Sequence, residues 1–342
     1  MSELLALGGD EARERFLSLG LGYPPSEGSL ALRHEIAGLY PNMGPDQILV
    51  TAGAEEAVFL FMNALLQPGD HVVVQFPCYQ SLEAVAGAVG CQVTRWAMRE
   101  RDGHWEIDCD DLIRSIKPNT RLIVINSPHN PTGHRISQAE LEFILTAARE
   151  RGILVFSDEV YRCLDYDGAP AMPACALYEN AVSLGVLSKS YGLAGLRIGW
   201  AATANSKLLQ TMAAFKDYTS ICNSAPSEFL AAEALRHSEP ILRRNQAIIA
   251  ANLEQMDGFF ARRADRFAWS RPQAGPIAFP RLLGGRDSEA FCGRLVQEAG
   301  VLLLPAACYD FGTFHFRIGF GRRNLPEALT RLEEWLAVNP KV

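Results

Sequence analysis

LSKSYGLAGLRIGW, residues 187–200, decides how the rest of the chain is read. Lys189 follows the apolar run SLGVL after a single serine and has small or apolar neighbours. Arg197 comes eight positions later, and glycines stand at 192, 195 and 199. Most lysines lie on surfaces, and Lys189 could snorkel outward as they do. At the end of a buried strand, however, its ammonium is partly desolvated. That lowers its pKa and makes it a nucleophile or Schiff-base former.

Working outward, the run before this lysine is one of six. QILVT (47–51), HVVVQF (71–76), RLIVIN (121–126), GILVFS (152–157), AVSLGV (181–186) and RIGWAA (197–202) are short, largely apolar and rich in Val and Ile. Such runs predict strands buried on both faces. Between several of them lie stretches with helical spacing, at 54–66, 79–89 and 137–150. Strands alternating with helices predict an α/β domain on a mostly parallel sheet. From about residue 205 the pattern changes to long helical periodicities at 205–217, 225–236 and 238–264. AGPIAFPRL, a helix-like 287–299, VLLLP, FHFRIGF and an amphipathic 325–337 follow. They predict a smaller α+β domain, with the boundary near residue 236.

In open α/β sheets ligands bind outside the carboxyl ends of the strands. Polar or aromatic residues follow five of the runs: Gly53 to Glu56, Tyr79, Asn130, Asp158 with Tyr161, and Lys189. Together they predict one pocket. Asp158, in FSDEVY, suits a helix N-cap. It equally suits a carboxylate facing Lys189, which could keep a pyridinium nitrogen protonated. Asn130, in the turn-forming SPHNPTG (127–133), and Tyr161 can each donate to a phenolate or carbonyl oxygen. TAGAEEAVFLFMNALL (51–66) enters a helix through a glycine, so the N–H groups of Gly53, Ala54 and Glu55 form a seat for phosphate. Its acidic first turn also has a plain macrodipole explanation. Ser188 and the planar fork of Arg197 can complete a phosphate clamp. Arg317, in the strand-like FHFRIGFGR, reads either as a partner for a substrate carboxylate or as a surface strand arginine.

The totals exclude several classes. With 342 residues the chain suits two domains or one large one. A net charge of −7 opposes a surface for nucleic-acid phosphates. No apolar run reaches the length of a membrane span. The start, MSELLALGGDEARERF, lacks a positive n-region and a small-residue cleavage site. Eight cysteines, at 78, 91, 109, 163, 175, 222, 292 and 308, contain no C-x-x-C pair, and the seven histidines form no cluster. This pattern predicts reduced thiols, a cytoplasmic location and no metal site.

The segments SKSYGLAGLRIGW, SPHNPTG and SDEVY, with family-like spacing, resemble the fold-type I, pyridoxal-phosphate-dependent aminotransferases of classes I and II. The likeness runs from about Gly22 to the C-terminal helix. It implies a large domain, 24–236, with a mostly parallel seven-stranded sheet, and a small α+β domain from 1–23 and 237–342. In the roles it implies, Lys189 holds pyridoxal 5'-phosphate as a Schiff base and later acts as the base at substrate Cα. Asp158 pairs with the pyridine nitrogen, Asn130 and Tyr161 contact the 3-hydroxyl oxygen, and Tyr79 stacks on the ring. Gly53, Ala54, Glu55, Ser188 and Arg197 bind the phosphate, and Arg317 takes the α-carboxylate. Tyr23, in LGYPPSEGSLALR, matches a tyrosine that reaches the neighbouring subunit's cofactor, which implies a homodimer with shared sites. Two departures stand out. Val186 occupies a position where many relatives carry a phosphate-binding serine, and the chain begins late relative to the family pattern, which bears on substrate closure and dimer stability.

The implied activity is transfer of an amino group between an L-amino acid and a 2-oxo acid. A second reading keeps the cofactor but ends in elimination, replacement or cyclisation, because QAGPIAFPRL and LGVLSKSYGLAGLRIGW resemble capreomycidine-synthase-like members. A third, a binding protein that lost catalysis, is opposed by the intact Lys189, Asp158 and Arg197.

Overall fold

Each of the six apolar runs carries a strand, and a seventh strand joins them. The computed structural model describes residues 1–167 and 170–339. Its main sheet comprises β1 (Ile48–Thr51), β2 (His71–Phe76), β3 (Gln92–Ala97), β4 (Thr120–Asn126), β5 (Leu154–Asp158), β6 (Ala181–Val186) and β7 (Gly199–Ala202). Their order is β1-β7-β6-β5-β4-β2-β3. The pairs β3–β2, β2–β4, β4–β5 and β5–β6 are parallel, whereas β7 runs antiparallel to β6 and β1. The architecture is fold type I with a mostly parallel seven-stranded sheet.

Strand periodicity explains the two-sided burial. Val72, Val74, Leu122, Val124, Leu154 and Phe156 share one apolar cluster, with Leu60 and Phe61 of the helix Ala54–Leu65. Val73, Ile123, Ile125 and Val155 point the other way, onto Ile144 and Leu145 of the helix Gln138–Arg149. Each such side chain stabilises the fold by about 1.5–3 kcal/mol, so no polar residue fits at these positions without loss. Phe156 alone packs its ring 4.7 Å from that of Phe61, and truncating it to Ala costs about 3–5 kcal/mol.

Helix starts follow local rules. Ser137 and Glu140 form a capping box, and Asn205 and Asp287 cap the helices Ser206–Lys216 and Ser288–Ala299. The 25-residue helix Ser238–Arg262 leads to a second sheet of Ile277–Ala278, Phe316–Gly319 and Leu304–Pro305, antiparallel throughout. Phe291 locks the helix Ser288–Ala299 onto it, 5.6 Å from Phe316 and 5.6 Å from Trp335 of Leu325–Val338.

Three details differ from the sequence pattern. The last run becomes a strand only at Gly199, because Arg197 leaves the 3-10 turn Ala194–Leu196 in a left-handed conformation, φ 52°. The edge strand β3 was masked because most of its residues are exposed or half-buried, which breaks up the apolar run. The helices Ser2–Leu7 and Gly9–Leu17, which carry no clear pattern, lie against Ala225–Arg236: Leu4 packs with Leu230 and Ala231, and Arg15 pairs with Glu233 at 2.7 Å. Among the described residues no helix is long and apolar enough to cross a membrane.

Candidate active site

Parallel pairing puts strand ends in line. Asn126 is level with Asp158, and Asp158 with Leu184, so their continuations reach one edge of the sheet. Because β7 reverses direction, Gly199 pairs with both Val186 and Thr51, which draws the start of the helix Ala54–Leu65 to the same edge. A cavity of about 250 Å³ opens there, lined by Ala54, Glu55, Tyr79, Asn130, Asp158, Tyr161, Ser188, Lys189 and Arg197 among others. The five strand ends singled out in the sequence do converge.

The helix Ala54–Leu65 presents its first turn to the cavity with no side-chain cap. Its N-cap, Gly53, has φ 92° and lies under Arg197: a Cβ there would fall 2.3 Å from Nη2. Gly199 is also crowded, here by backbone, since a Cβ would stand 2.8 Å from the Ala54 nitrogen. Two glycines thus let a guanidinium and a helix N-terminus approach one point, which is an anion seat. Ser81, unremarked in the sequence, adds a buried Oγ with no hydrogen-bond partner at the cavity wall.

Asp158 ends β5 almost fully buried, and burial pushes its pKa up to about 7, against a hydrogen bond from the Val160 N–H and the charge of Lys189. The N–H of Val160 meets Oδ1 at 3.1 Å. The capping role therefore exists in part, but on a turn rather than a helix. Lys189 opens into the cavity while protein crowds it on most sides. Burial and the cation of Arg317 lower its pKa, opposed by Asp158 and Glu55. Its Nζ lies 5.6 Å from the centre of the Tyr161 ring and has no hydrogen-bond partner among the described residues. Burial raises the pKa of Tyr161, and burial with the hydrogen-bonded Glu55 carboxylate raises Tyr79 to about 12, so both phenols keep their protons.

Arg317 comes from the second sheet and reaches over the same edge, with Nη1 3.3 Å from Asn130 Oδ1. Tyr309 stands beside them, and its hydroxyl also faces Asn130 Oδ1. It lies in a 3-10 turn directly after a two-residue strand of the antiparallel second sheet, where the strand-end rule of α/β sheets gives no signal. Tyr23 is not in the cavity. It is 90% exposed and borders a separate depression with Ser220, Asn223 and Ser224.

The charges of this site are not paired with each other. Among the described residues none of Lys189, Arg197, Arg317, Asp158 or Glu55 forms an ion pair. A ligand that fits must bring an anion for Arg197 and the helix N-terminus, a cation for Asp158 and an electrophile for Lys189. Pyridoxal phosphate has all three: a phosphate, a protonatable ring nitrogen and an aldehyde.

Comparison with known proteins agrees. The sequence pattern of the family described as aminotransferase class I and II matches residues 18–332. Capreomycidine synthase of Streptomyces vinaceus is 31% identical over 93% of this chain and 81% of its own length. A PLP-dependent aminotransferase of Streptococcus suis superposes with a TM-score of 0.92 at 33% identity, over 98% of this chain and 90% of that one. The PLP-dependent cyclase OrfR superposes with a TM-score of 0.90 at 30% identity, over 99% and 90%. The chain belongs to the class I and II aminotransferases and is an enzyme that uses pyridoxal phosphate.

Proposed function

We propose that this aminotransferase moves an amino group between an L-amino acid and a 2-oxo acid, with Lys189 as the residue that holds the cofactor and moves the proton. The observation that carries the reading is the set of unpaired charges along one sheet edge. Bound pyridoxal phosphate supplies the electron sink that makes the substrate's Cα proton acidic. The N–H groups of Gly53, Ala54 and Glu55, the Ser188 hydroxyl and Arg197 hold its phosphate, and Tyr79 covers one face of the ring. Asp158 keeps the ring nitrogen protonated, and Asn130 and Tyr161 donate to its 3-oxygen. Arg317 fixes the substrate α-carboxylate and so orients the Cα–H bond. Lys189 Nζ, its pKa lowered by burial and by Arg317, takes that proton.

The test is borohydride reduction of the native protein followed by digestion. The expected result is a pyridoxyl tag on the peptide containing Lys189. A tag elsewhere, or none, ends the proposal.

A second reading has its own support. Capreomycidine synthase and the cyclase OrfR are among the relatives. In that case the same residues start the reaction, but the amino group is not passed on. Single-turnover spectra over a panel of amino donors separate the two: transamination leaves the pyridoxamine form, and cyclisation or elimination returns the starting absorption.

We further propose a homodimer. Ser26 hydrogen-bonds Asp217 and Ile221, which draws exposed Leu21 and Tyr23 together with exposed Tyr218 and Ile221. A second copy covers this apolar patch, and Tyr23 then reaches the partner's phosphate. Eight free cysteines accord with a cytoplasmic location. We take 24–236 as the larger domain and 237–342 as the smaller, its last three residues lying outside the described ones. Residues 1–23 were grouped with the smaller domain in the sequence reading, but the packing of Leu4 and Arg15 favours the larger.

A further inference from the structure

Asn130 is useful to a cofactor oxygen only if its amide nitrogen, not its carbonyl, faces the cavity. Nothing in the Asn130 backbone decides that orientation, because the two ends of the amide have nearly the same shape. Its neighbours decide it. Arg317 Nη1 approaches Oδ1 at 3.3 Å, and a guanidinium can only donate. The Tyr309 hydroxyl approaches the same Oδ1 at 3.4 Å. Both contacts are long, so neither alone pins the amide, but two donors converging on one oxygen leave the NH2 group to face the cavity.

We propose that Tyr309 is a positioning residue for the reaction, acting through Asn130. Tyr309 is buried, and burial, against the pull of Arg317, pushes its pKa up to about 12, so the donating proton is present throughout the neutral range. Its ring backs the Arg317 guanidinium at 5.9 Å and packs edge-on to Phe279 at 5.5 Å. The next residue, Asp310, is tied to the sheet edge by Arg95 at 2.6 Å, and Arg95 is itself held by Glu83 at 2.8 Å. The turn that carries Tyr309 is therefore anchored to β3 on one side and to the second sheet on the other. A hydrogen bond accepted by Oδ1 also polarises the amide and strengthens donation from its nitrogen.

This inference rests on the site reading above, and the test separates the two. The readout is the pH at which the visible absorption of protein-bound pyridoxal phosphate changes, since donation to the 3-oxygen favours the deprotonated chromophore. Tyr309→Phe keeps the ring and its packing. It is expected to raise that pKa by roughly half a unit or more, with an unchanged melting temperature. In an Asn130→Ala background the same substitution should lose at least half of that effect, because the hydroxyl has no amide to act on. No shift in the first background, or a shift that survives intact in the second, overturns the proposal. A wild-type protein whose absorption does not titrate at all instead overturns the site reading.

Discussion

Two lysines of this molecule have left bulk water, and they have opposite fates. Lys216, at the end of the helix Ser206–Lys216, is fully buried, and its Nζ donates to the carbonyl oxygens of Ser26 at 2.5 Å and Val50 at 2.8 Å. Lys189, after β6, faces a cavity and donates to nothing among the described residues. Burial lowers the pKa of both. Around Lys216 the charges are acids, Glu56 and Glu228 foremost, which stabilise its ammonium; around Lys189, Arg317 disfavours the ammonium against Asp158 and Glu55. Desolvation alone does not make a lysine reactive. A desolvated lysine whose hydrogen-bonding capacity is left unspent is a nucleophile, and one that is fully bonded is a structural pin.

The largest expected effect comes from exchanging one for the other. Lys189→Ala should lower kcat by about 10⁴-fold or more while leaving the urea midpoint of the cofactor-free protein unchanged. Lys216→Met should do the reverse. Two buried carbonyls lose their donor, which costs about 2–4 kcal/mol of stability, and the folded fraction should retain wild-type kcat. A Lys216→Met protein that is stable but inactive breaks the comparison.

The smallest effect concerns the acid near Lys189. In cofactor-free protein the Asp158 pKa of about 7 lies above its ordinary 3.8. Between those values the native state keeps a proton that the unfolded state has released, so stability falls as pH rises through this window. Asp158→Asn cannot titrate. Its unfolding free energy relative to wild type should therefore improve between about pH 4 and about pH 7. If the difference is flat across that range, the carboxyl is not buried as described.

The contrast also shows what a sequence can reveal. Lys189 was legible because its strand is an unbroken apolar run and the turn after it is rich in glycine. Asp158, Asn130 and the Gly53 turn were legible for the same reason: each ends or follows a strand covered on both faces, which keeps its run apolar. Lys216 was not, since it ends an ordinary amphipathic helix and its acceptors, Ser26 and Val50, are distant in sequence and backbone in nature. Tyr309 escaped because the second sheet is made of two- to four-residue strands whose burial comes from aromatic packing rather than from pattern. β3 escaped because only Trp96 of its six residues is buried, so no apolar run marks it.

The reversal of β7 has one more consequence. Since β7 runs against β6, the polypeptide leaves the sheet beside the cavity and re-enters it at the same rim, delivering Lys189 on the outward leg and Arg197 on the return. The excursion behaves as a clasp with both ends riveted. Adding or deleting a residue within 190–196 must move an amine or a guanidinium, so this link should tolerate changes of side chain far better than changes of length.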